Sequence, residues 1–456
     1  MEGLKVSEQL FSKVKSSKNF RFDAEFFAHS ASSSLEKILE SGKFRQLKEL
    51  TNYISSGHTP YKHDITQGEV KFITVECIDD LVLNHDKLKR VTKEQFEKEY
   101  QKNHAQIGSV ICTIKRRICK AYAFLEKVIE PMAINQDVAI ILPQQVVLPA
   151  YLATYLNCNI GQTFADKQKT GQMNPYISVD NLSTLPVFLP SLGFQRNVEG
   201  ILKLAYKKLN ESQTFYNRAE QILSQSLGLV DIDTGVKVNS NIKTFSTSFL
   251  ESGRLDAEYY QQKYERLAET CFSKAVYTKT MQDIQHFNAR GLQPEYVENG
   301  EVDVINSRHI LEKHLDYNNF EKTTLQNWKF QTRAQVFKND ILIYTTGANI
   351  GRSQVYLKSE KALASNHVNI LRIKNENPIY VAFVLNSKIG RLQTEQLSAG
   401  SAQQELYPKD IAQFYIPFIS ELKQRQISDS VLKSYTLQTE SEKLLTLAKQ
   451  AVETAI

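Results

Sequence analysis

Apolar positions along this chain alternate between two periods. Short β-branched runs bounded by turn residues predict strands at Val70–Val75, Ser109–Ile114 and Val138–Leu142. The same signal predicts strands at Val302–Ile305, Ile341–Thr345 and Val368–Ile373. Helical spacing appears at 23–39 (Leu35, Ile38 and Leu39, ending near Gly42) and from Asp256 through Tyr260, Tyr264 and Leu267. A helix over Ala150–Asn157 follows Pro149, a favoured first-turn residue, and Tyr380–Asn386 is its counterpart. The longest periodic stretch, Gln195–Leu227, contains no proline. Val198, Leu202, Ala205, Leu209, Ser212, Tyr216, Ala219 and Leu223 fall at alternating four- and three-residue steps, a heptad seam. A second seam runs through Ile427, Val431, Ser434, Gln438, Ser441, Leu445, Ala448 and Val452; its polar middle predicts a weaker coiled coil on its own. Each long helix either packs on its own domain or pairs with the other. Antiparallel pairing would hold two domains apart, because a helix of about 33 residues spans about 50 Å.

The pattern occurs twice. Arg21-Phe22-Asp23-Ala24-Glu25-Phe26-Phe27 returns as Arg254-Leu255-Asp256-Ala257-Glu258-Tyr259-Tyr260, a step of 233 residues. Gly68-Glu69-Val70 returns as Gly300-Glu301-Val302, Pro149-Ala150-Tyr151 as Pro378-Ile379-Tyr380, and Leu156-Asn157 as Leu385-Asn386. Gln195-Arg196 returns as Gln424-Arg425, where the step is 229. Two diverged copies of one module follow, each long enough to bury a core.

Composition narrows the function. Hydrophobic residues are 41% and charged residues 23% of 456, ordinary for a globular protein. No apolar leader opens the chain, and the most apolar stretch, 138–156, is broken by Pro143, Gln144, Gln145 and Pro149. A cytoplasmic protein without a membrane span is expected. Five cysteines without a CxxC pair and nine scattered histidines predict neither disulfides nor a metal site. A net charge of +6 is compatible with nucleic acid but decides nothing alone. There is no Walker A loop, no dinucleotide loop and no nucleophile elbow. Asn174-Pro175-Tyr176 only approximates an adenine methyltransferase loop, and Asp64 with Glu69 and Lys71 only echoes a nuclease site. The chain reads as a binding protein without catalytic residues.

Candidate DNA contacts lie in matching places. Gly57, His58 and Thr59 precede Pro60, and Arg290 and Gln293 flank the equivalent turn before Pro294; such a turn lets backbone approach a phosphate closely. Lys115, Arg116, Arg117 and Lys120 follow a strand and suit phosphate, with Arg116 or Arg117 able to fork onto a guanine edge. Thr346, Asn349 and Arg352 occupy that place in the second copy. A third loop holds Lys167, Lys169, Gln172 and Asn174, matched by Gln403 and Gln404, whose amide side chains suit adenine. Arg308 and His309 match Glu76 and Cys77, with opposite charge at the first position.

Taken together, these residues resemble the specificity (S) subunits of type I restriction–modification systems, DNA methylation and phage-defence complexes. The resemblance spans nearly the whole chain. It rests on the repeated Arg-φ-Asp-Ala-Glu-aromatic opening, the Gly57–Pro60 turn, the Asn339–Arg352 stretch and the Gly400 to Pro417 run before a long helix. It implies an α+β fold with two similar mixed α/β target-recognition domains, joined and separated by two long antiparallel coiled-coil helices in a pseudo-twofold arrangement. The implied parts are a first domain over 1–190, a central spacer helix over 191–229, a second domain over 230–420 and a C-terminal spacer helix over 421–456. Each domain would read half of a bipartite duplex DNA target. Two methyltransferase (M) subunits would dock near the spacer helices and supply S-adenosylmethionine, with no cofactor in this chain, and restriction (R) subunits would join them. Where the family pattern has glycines, the first copy has Thr113 to Lys120, so a different backbone is expected there. The alternatives are a two-domain protein-interaction scaffold, marked by salt-insensitive partner binding without DNA, and a stand-alone nuclease, marked by cutting lost on Glu69→Ala.

Overall fold

The protein is described by a computed structural model covering residues 43–60, 68–100, 103–171, 173–229, 241–398 and 404–456. Its chain forms two compact units. One ends at Leu209 and includes Thr439–Ile456; the other is Asn210–Gln438. The division runs through the middle of both long helices. The first Arg-φ-Asp-Ala-Glu copy and the helix expected over 23–39 lie outside the described residues.

In the first unit the central sheet is built from β1 (Thr51–Ser56), β4 (Val110–Thr113), β5 (Ala121–Ala123) and β7 (Val138–Pro143). Between them in sequence come β2 (Val70–Ile73), β3 (Lys89–Val91) and β6 (Met132–Ile134). The central order is β1-β7-β4-β5, antiparallel throughout. A smaller sheet, β3-β2-β6, is antiparallel at β2/β3 and parallel at β2/β6. All four residues of β4 are buried, which is why that strand reads as an unbroken apolar run with no alternation. Helices α1 (Pro149–Asn157) and α2 (Asn159–Gln168) cover this sheet, and α3 (Leu192–Leu227) follows.

The second unit repeats the plan. Strands β8 (Gln285–Arg290), β11 (Ile341–Tyr344), β12 (Ser353–Val355) and β14 (Val368–Ile373) form a sheet ordered β8-β14-β11-β12. Strands β9 (Val302–Ile305), β10 (Glu321–Thr323) and β13 (Ala362–Ala364), with a two-residue strand Gln335–Val336 at the β13 edge, form the smaller one, again with one parallel pair, β9/β13. Helices α4 (Pro378–Asn386), α5 (Lys388–Leu397) and α6 (Glu421–Ala455) complete it. The helix expected from Asp256 begins later, at Gln262–Leu267, with Tyr264 and Leu267 buried. Residues 257–260 form turns instead, and Arg254 before them pairs with Asp256 at 2.7 Å and stacks on Tyr259.

The residues that repeat in sequence make the same contacts twice. Asn157 donates to the Ala121 carbonyl at 2.8 Å and accepts from its N–H at 3.2 Å; Asn386 clasps Ser353 in the same two-way fashion. Tyr151 donates to Phe188 O at 2.7 Å, and Tyr380 to Pro417 O at 2.7 Å. Gln195 donates to Pro190 O at 3.0 Å, and Gln424 to Ile419 O at 2.7 Å. All of these side chains but Asn386 are buried, and losing a partner there would leave a desolvated group unsatisfied.

The two long helices run in opposite directions along their seams. In the second unit Ser212 donates to the Ser434 carbonyl at 2.9 Å. In the first unit Ser441 donates to the Ala205 carbonyl at 2.9 Å. At the repeat step of 229 these are one contact made twice. Of the polar middle of the second seam, Ser434 and Ser441 are buried, at 4% and 1% exposure, whereas Gln438 is half-buried and its neighbour Leu437 is buried instead. Serine is small enough for its hydroxyl to reach the facing helix backbone.

Candidate functional site

The first-unit basic loop is tied down from within. The Thr113 hydroxyl donates to Arg117 O and accepts from Lys120 N at 2.9 Å, while Cys119 N donates to Thr113 O at 2.8 Å. Ile118 and Cys119 are buried anchors. Arg116 N donates to Pro175 O at 2.8 Å, and Lys115 bridges to Tyr176, which brings the third candidate loop alongside. The equivalent bonds of the second unit are Gly347 N to Gln404 O (3.2 Å), Gly351 N to Tyr344 O (2.8 Å) and the Thr346–Glu405 bridge.

The expectation of a different backbone in the first copy holds for the loop's length: Cys119 N reaches back six residues to Thr113 O, where Gly351 N reaches back seven to Tyr344 O. The sign of φ at the two glycine positions is nevertheless shared. Arg116 (φ +63°) and Cys119 (φ +57°) adopt the left-handed conformation that Gly347 (φ +110°) and Gly351 (φ +85°) supply in the second copy. The shared hydrogen bonds impose the conformation on residues other than glycine. For such residues it costs about 1–2 kcal/mol each.

Every cation of this loop meets a carboxylate. Lys115 lies 2.7 Å from Asp137, Arg116 2.9 Å from Glu76, Arg117 2.8 Å from Asp79 and Lys120 3.8 Å from Asp80. Arg117 also donates to the Val75 and Ile78 carbonyls at 3.2 and 2.6 Å, so its guanidinium braces a turn. Asp80 is shared with Lys449 of α6. Burial pushes the Glu76 carboxyl up, but hydrogen bonds from Thr74 and its own backbone, with Arg116 nearby, hold it below the ordinary range. It is a stable anion. Sequence reading missed these acids; the consecutive Asp79-Asp80 was the available signal.

Of the remaining first-unit candidates, Asn174 is exposed and Lys169 pairs with Asp166 at 2.9 Å; Lys167 lies at the end of α2, and Gln172 falls outside the described residues. His58 is exposed, 3.4 Å from Glu99. Gly57 has a different role from the one expected. Its N–H donates to Val138 O at 2.9 Å, and a Cβ there would stand 2.0 Å from Ile134 O. Gly291 repeats this against Val368 O and Ala364 O. The close approach is to the chain's own backbone rather than to a phosphate. Thr59, beside Gly57, keeps its hydroxyl buried.

In the second unit Arg290 is a strut, donating to Leu406 O at 3.0 Å and stacked on Tyr407. Gln293 donates to Tyr296, which donates to Asn306, whose amide donates to Glu321 at 2.7 Å. Arg308 is exposed and pairs with the same Glu321. Thr346 is buried; Asn349 and Arg352 are half-buried, and Arg352 has no ion pair among the described residues. Gln404 is exposed; Gln403 lies outside the described residues.

His309 is not a surface tip, because it is 1% exposed and packed on Phe320. Its Nδ1 accepts from Asn306 N at 3.0 Å, and its Nε2 lies 3.3 Å from the donor Arg308 Nε and 3.4 Å from Glu321. Cys77 caps Thr74 N at 3.4 Å in the same way, so the unlike residues perform one structural task. Burial, and then Arg308, lower the His309 pKa from 6.5 to about 4. The unfolded chain takes up that proton first, so stability should fall as pH drops from about 6.5 towards 4. Melting temperature followed across that window should decline less steeply in His309→Gln; equal slopes would refute the assignment.

The echo of a nuclease also has a structural account. Glu69 accepts from Lys93 N at 3.0 Å and Glu301 from Leu325 N at 3.3 Å, each at the first turn of a short helix. Lys71 pairs with Glu130 at 2.7 Å. Asp64 lies outside the described residues. Among the described residues no cluster of His, Cys, Asp or Glu has metal-binding geometry, and no helix is long and apolar enough to cross a membrane.

Residues 273–449 match the family described as the type I restriction modification DNA specificity domain. No curated protein matches the chain. Similar solved structures include the S subunit of a type I restriction–modification system from M. genitalium, at 12% identity over 90% of this chain and 94% of that one, with a TM-score of 0.44. The HsdS subunit from Thermoanaerobacter tengcongensis is 12% identical over 90% of this chain and 95% of that one, with a TM-score of 0.29.

Proposed function

We infer, from the type I restriction modification DNA specificity domain at residues 273–449, that this chain is the DNA-specificity subunit of such a system. The observation that carries the reading to the whole chain is the repeat of that domain's framework contacts in the first unit: the Asn157 and Asn386 clasps, the Tyr151 and Tyr380 bonds and the paired glycines. Each unit reads one half of a bipartite duplex target, in the cytoplasm. The shared frame receives two like methyltransferase subunits, which bring S-adenosylmethionine and methylate adenine N6. Restriction subunits join that core, and this chain itself carries no catalytic residue. Unlike loop tips, 115–120 against 346–352, make the two half-sites different.

Reconstitution tests this. The chain alone should leave DNA unmethylated, and addition of the neighbouring methyltransferase subunit should give methylation at one bipartite sequence, with binding that weakens steeply as salt rises. Four residues inserted at paired levels of α3 and α6 lengthen each helix by about 6 Å. The gap between half-sites should then grow by about two base pairs while both half-sites stay the same. Methylation by the chain alone, or half-sites that change with the insertion, would contradict the reading.

A further inference from the structure

The loop at 115–120 holds four cations, and one of them stands apart. Arg117 braces carbonyls of the chain itself, and Lys115 and Lys120 sit in ordinary backbone. Arg116 takes a left-handed conformation at the position where the second copy has Gly347. Cys119 shares that strain, but its side chain is fully buried and gains from packing. The Arg116 side chain is 66% exposed, and its only ion pair among the described residues is with Glu76, itself 51% exposed. An exposed pair of that kind returns little to the fold. Glycine would serve the backbone better, so the arginine is not explained by folding. Strain retained without a folding return points to function.

A phosphate does not explain it either. Any cation attracts phosphate, and Lys115 and Lys120 already supply charge beside this point. What an arginine adds at a rigidly held tip is a planar fork of donors. The group that meets it here, Glu76, engages one arm of that fork, Nη1 at 2.9 Å, and the full fork matches the O6 and N7 acceptors of guanine.

We propose that Arg116 reads a guanine in the first half-site, with Glu76 holding one arm of its fork until DNA displaces it. This rests on the specificity-subunit reading and adds to it one residue, one base and the carboxylate that competes with it. At the equivalent place the second unit has Gly347, and it carries an exposed guanidinium at Arg308, again held by a carboxylate, Glu321. The two units thus present arginine from different points of one frame.

The test uses the full chain assembled with its methyltransferase partner and a library of duplexes randomised over both half-sites. Arg116→Gly should lower preference at one G·C pair of the first half-site about 10- to 100-fold and leave the second half-site unchanged. Its melting temperature should equal or exceed that of the unsubstituted chain, by up to about 2–4 °C. Arg116→Lys keeps the charge and should lose the same discrimination. Glu76→Gln should raise affinity for all sequences. Unchanged preference, uniform weakening across sequences, full discrimination by Arg116→Lys (a phosphate contact), or a lower melting temperature for Arg116→Gly would each overturn the proposal. An unsubstituted complex with no sequence preference would instead overturn the specificity-subunit reading, and this proposal with it.

Discussion

Asp340→Ala is expected to destabilise the second unit by about 3 kcal/mol, because it leaves a half-buried guanidinium without its counter-charge. Asp340 is 3% exposed, and its Oδ1 lies 2.9 Å from Arg372 Nε. Its other oxygen accepts from Phe337 N at 2.7 Å, closing the turn that starts β11. Arg372 is sandwiched between the rings of Phe287 and Phe337, 4.4 and 4.6 Å from their centroids, and also donates to Gln335 O. Truncating Asp340 therefore orphans both a charge and a backbone donor. The pair is nevertheless costly: burial pushes the Asp340 carboxyl above its ordinary range even though Arg372 opposes the shift. The first unit manages without it. Ser109 stands at the equivalent place and accepts from Gln106 N at 3.2 Å, and Leu142 stands opposite. Asp340→Ser combined with Arg372→Leu should accordingly recover most of the loss. Denaturant unfolding of the three variants measures it; a double variant as unstable as Asp340→Ala would show that the cost lies in geometry rather than unpaired charge.

Gly57→Ala and Gly291→Ala should each cost about 4 kcal/mol or more, the upper end for single substitutions. The new methyl carbon would stand 2.0 Å from Ile134 O in the first case and 2.1 Å from Ala364 O in the second. Both oxygens are backbone atoms in hydrogen bonds, with His58 N and Leu292 N. Neither can move without parting the small sheet from the central one. Gly200→Ala is the control: nothing lies within 4 Å of the added carbon on exposed α3, and the helix should gain about 0.5–1 kcal/mol. Proteolysis and thermal melting of the three variants would distinguish them. Alanine at 57 or 291 tolerated as well as at 200 would refute the close-approach account.

The candidate loops were legible as places and much less so as roles. Divergence between the copies located 115–120 against 346–352, because a frame tolerates change where side chains reach solvent. Charge alone suggested that the four cations of the first loop were equivalent. Their separation into brace, strained tip and point charges depends on Glu76, Asp79, Asp80 and Asp137, brought in from other parts of the chain. His309 looked like a recognition tip because it stands where the two copies differ, opposite Cys77. Only its depth, and the matching task of Cys77, show it to be a cap.

By itself the sequence determined the duplication, the strands at 302–305 and 368–373, the helices after Pro149 and Pro378, and both heptad seams. These follow from local periodicity and turn chemistry, which each segment carries within a few residues. Tertiary structure alone decided that Gly57 and Gly291 exist for the chain's own backbone and that serines in a polar seam join two helices. It alone also decided that Arg116 is held in a glycine's conformation. Each of those facts is a distance between residues far apart in the chain, set by how sheets and helices close on one another, and no local pattern encodes such a distance.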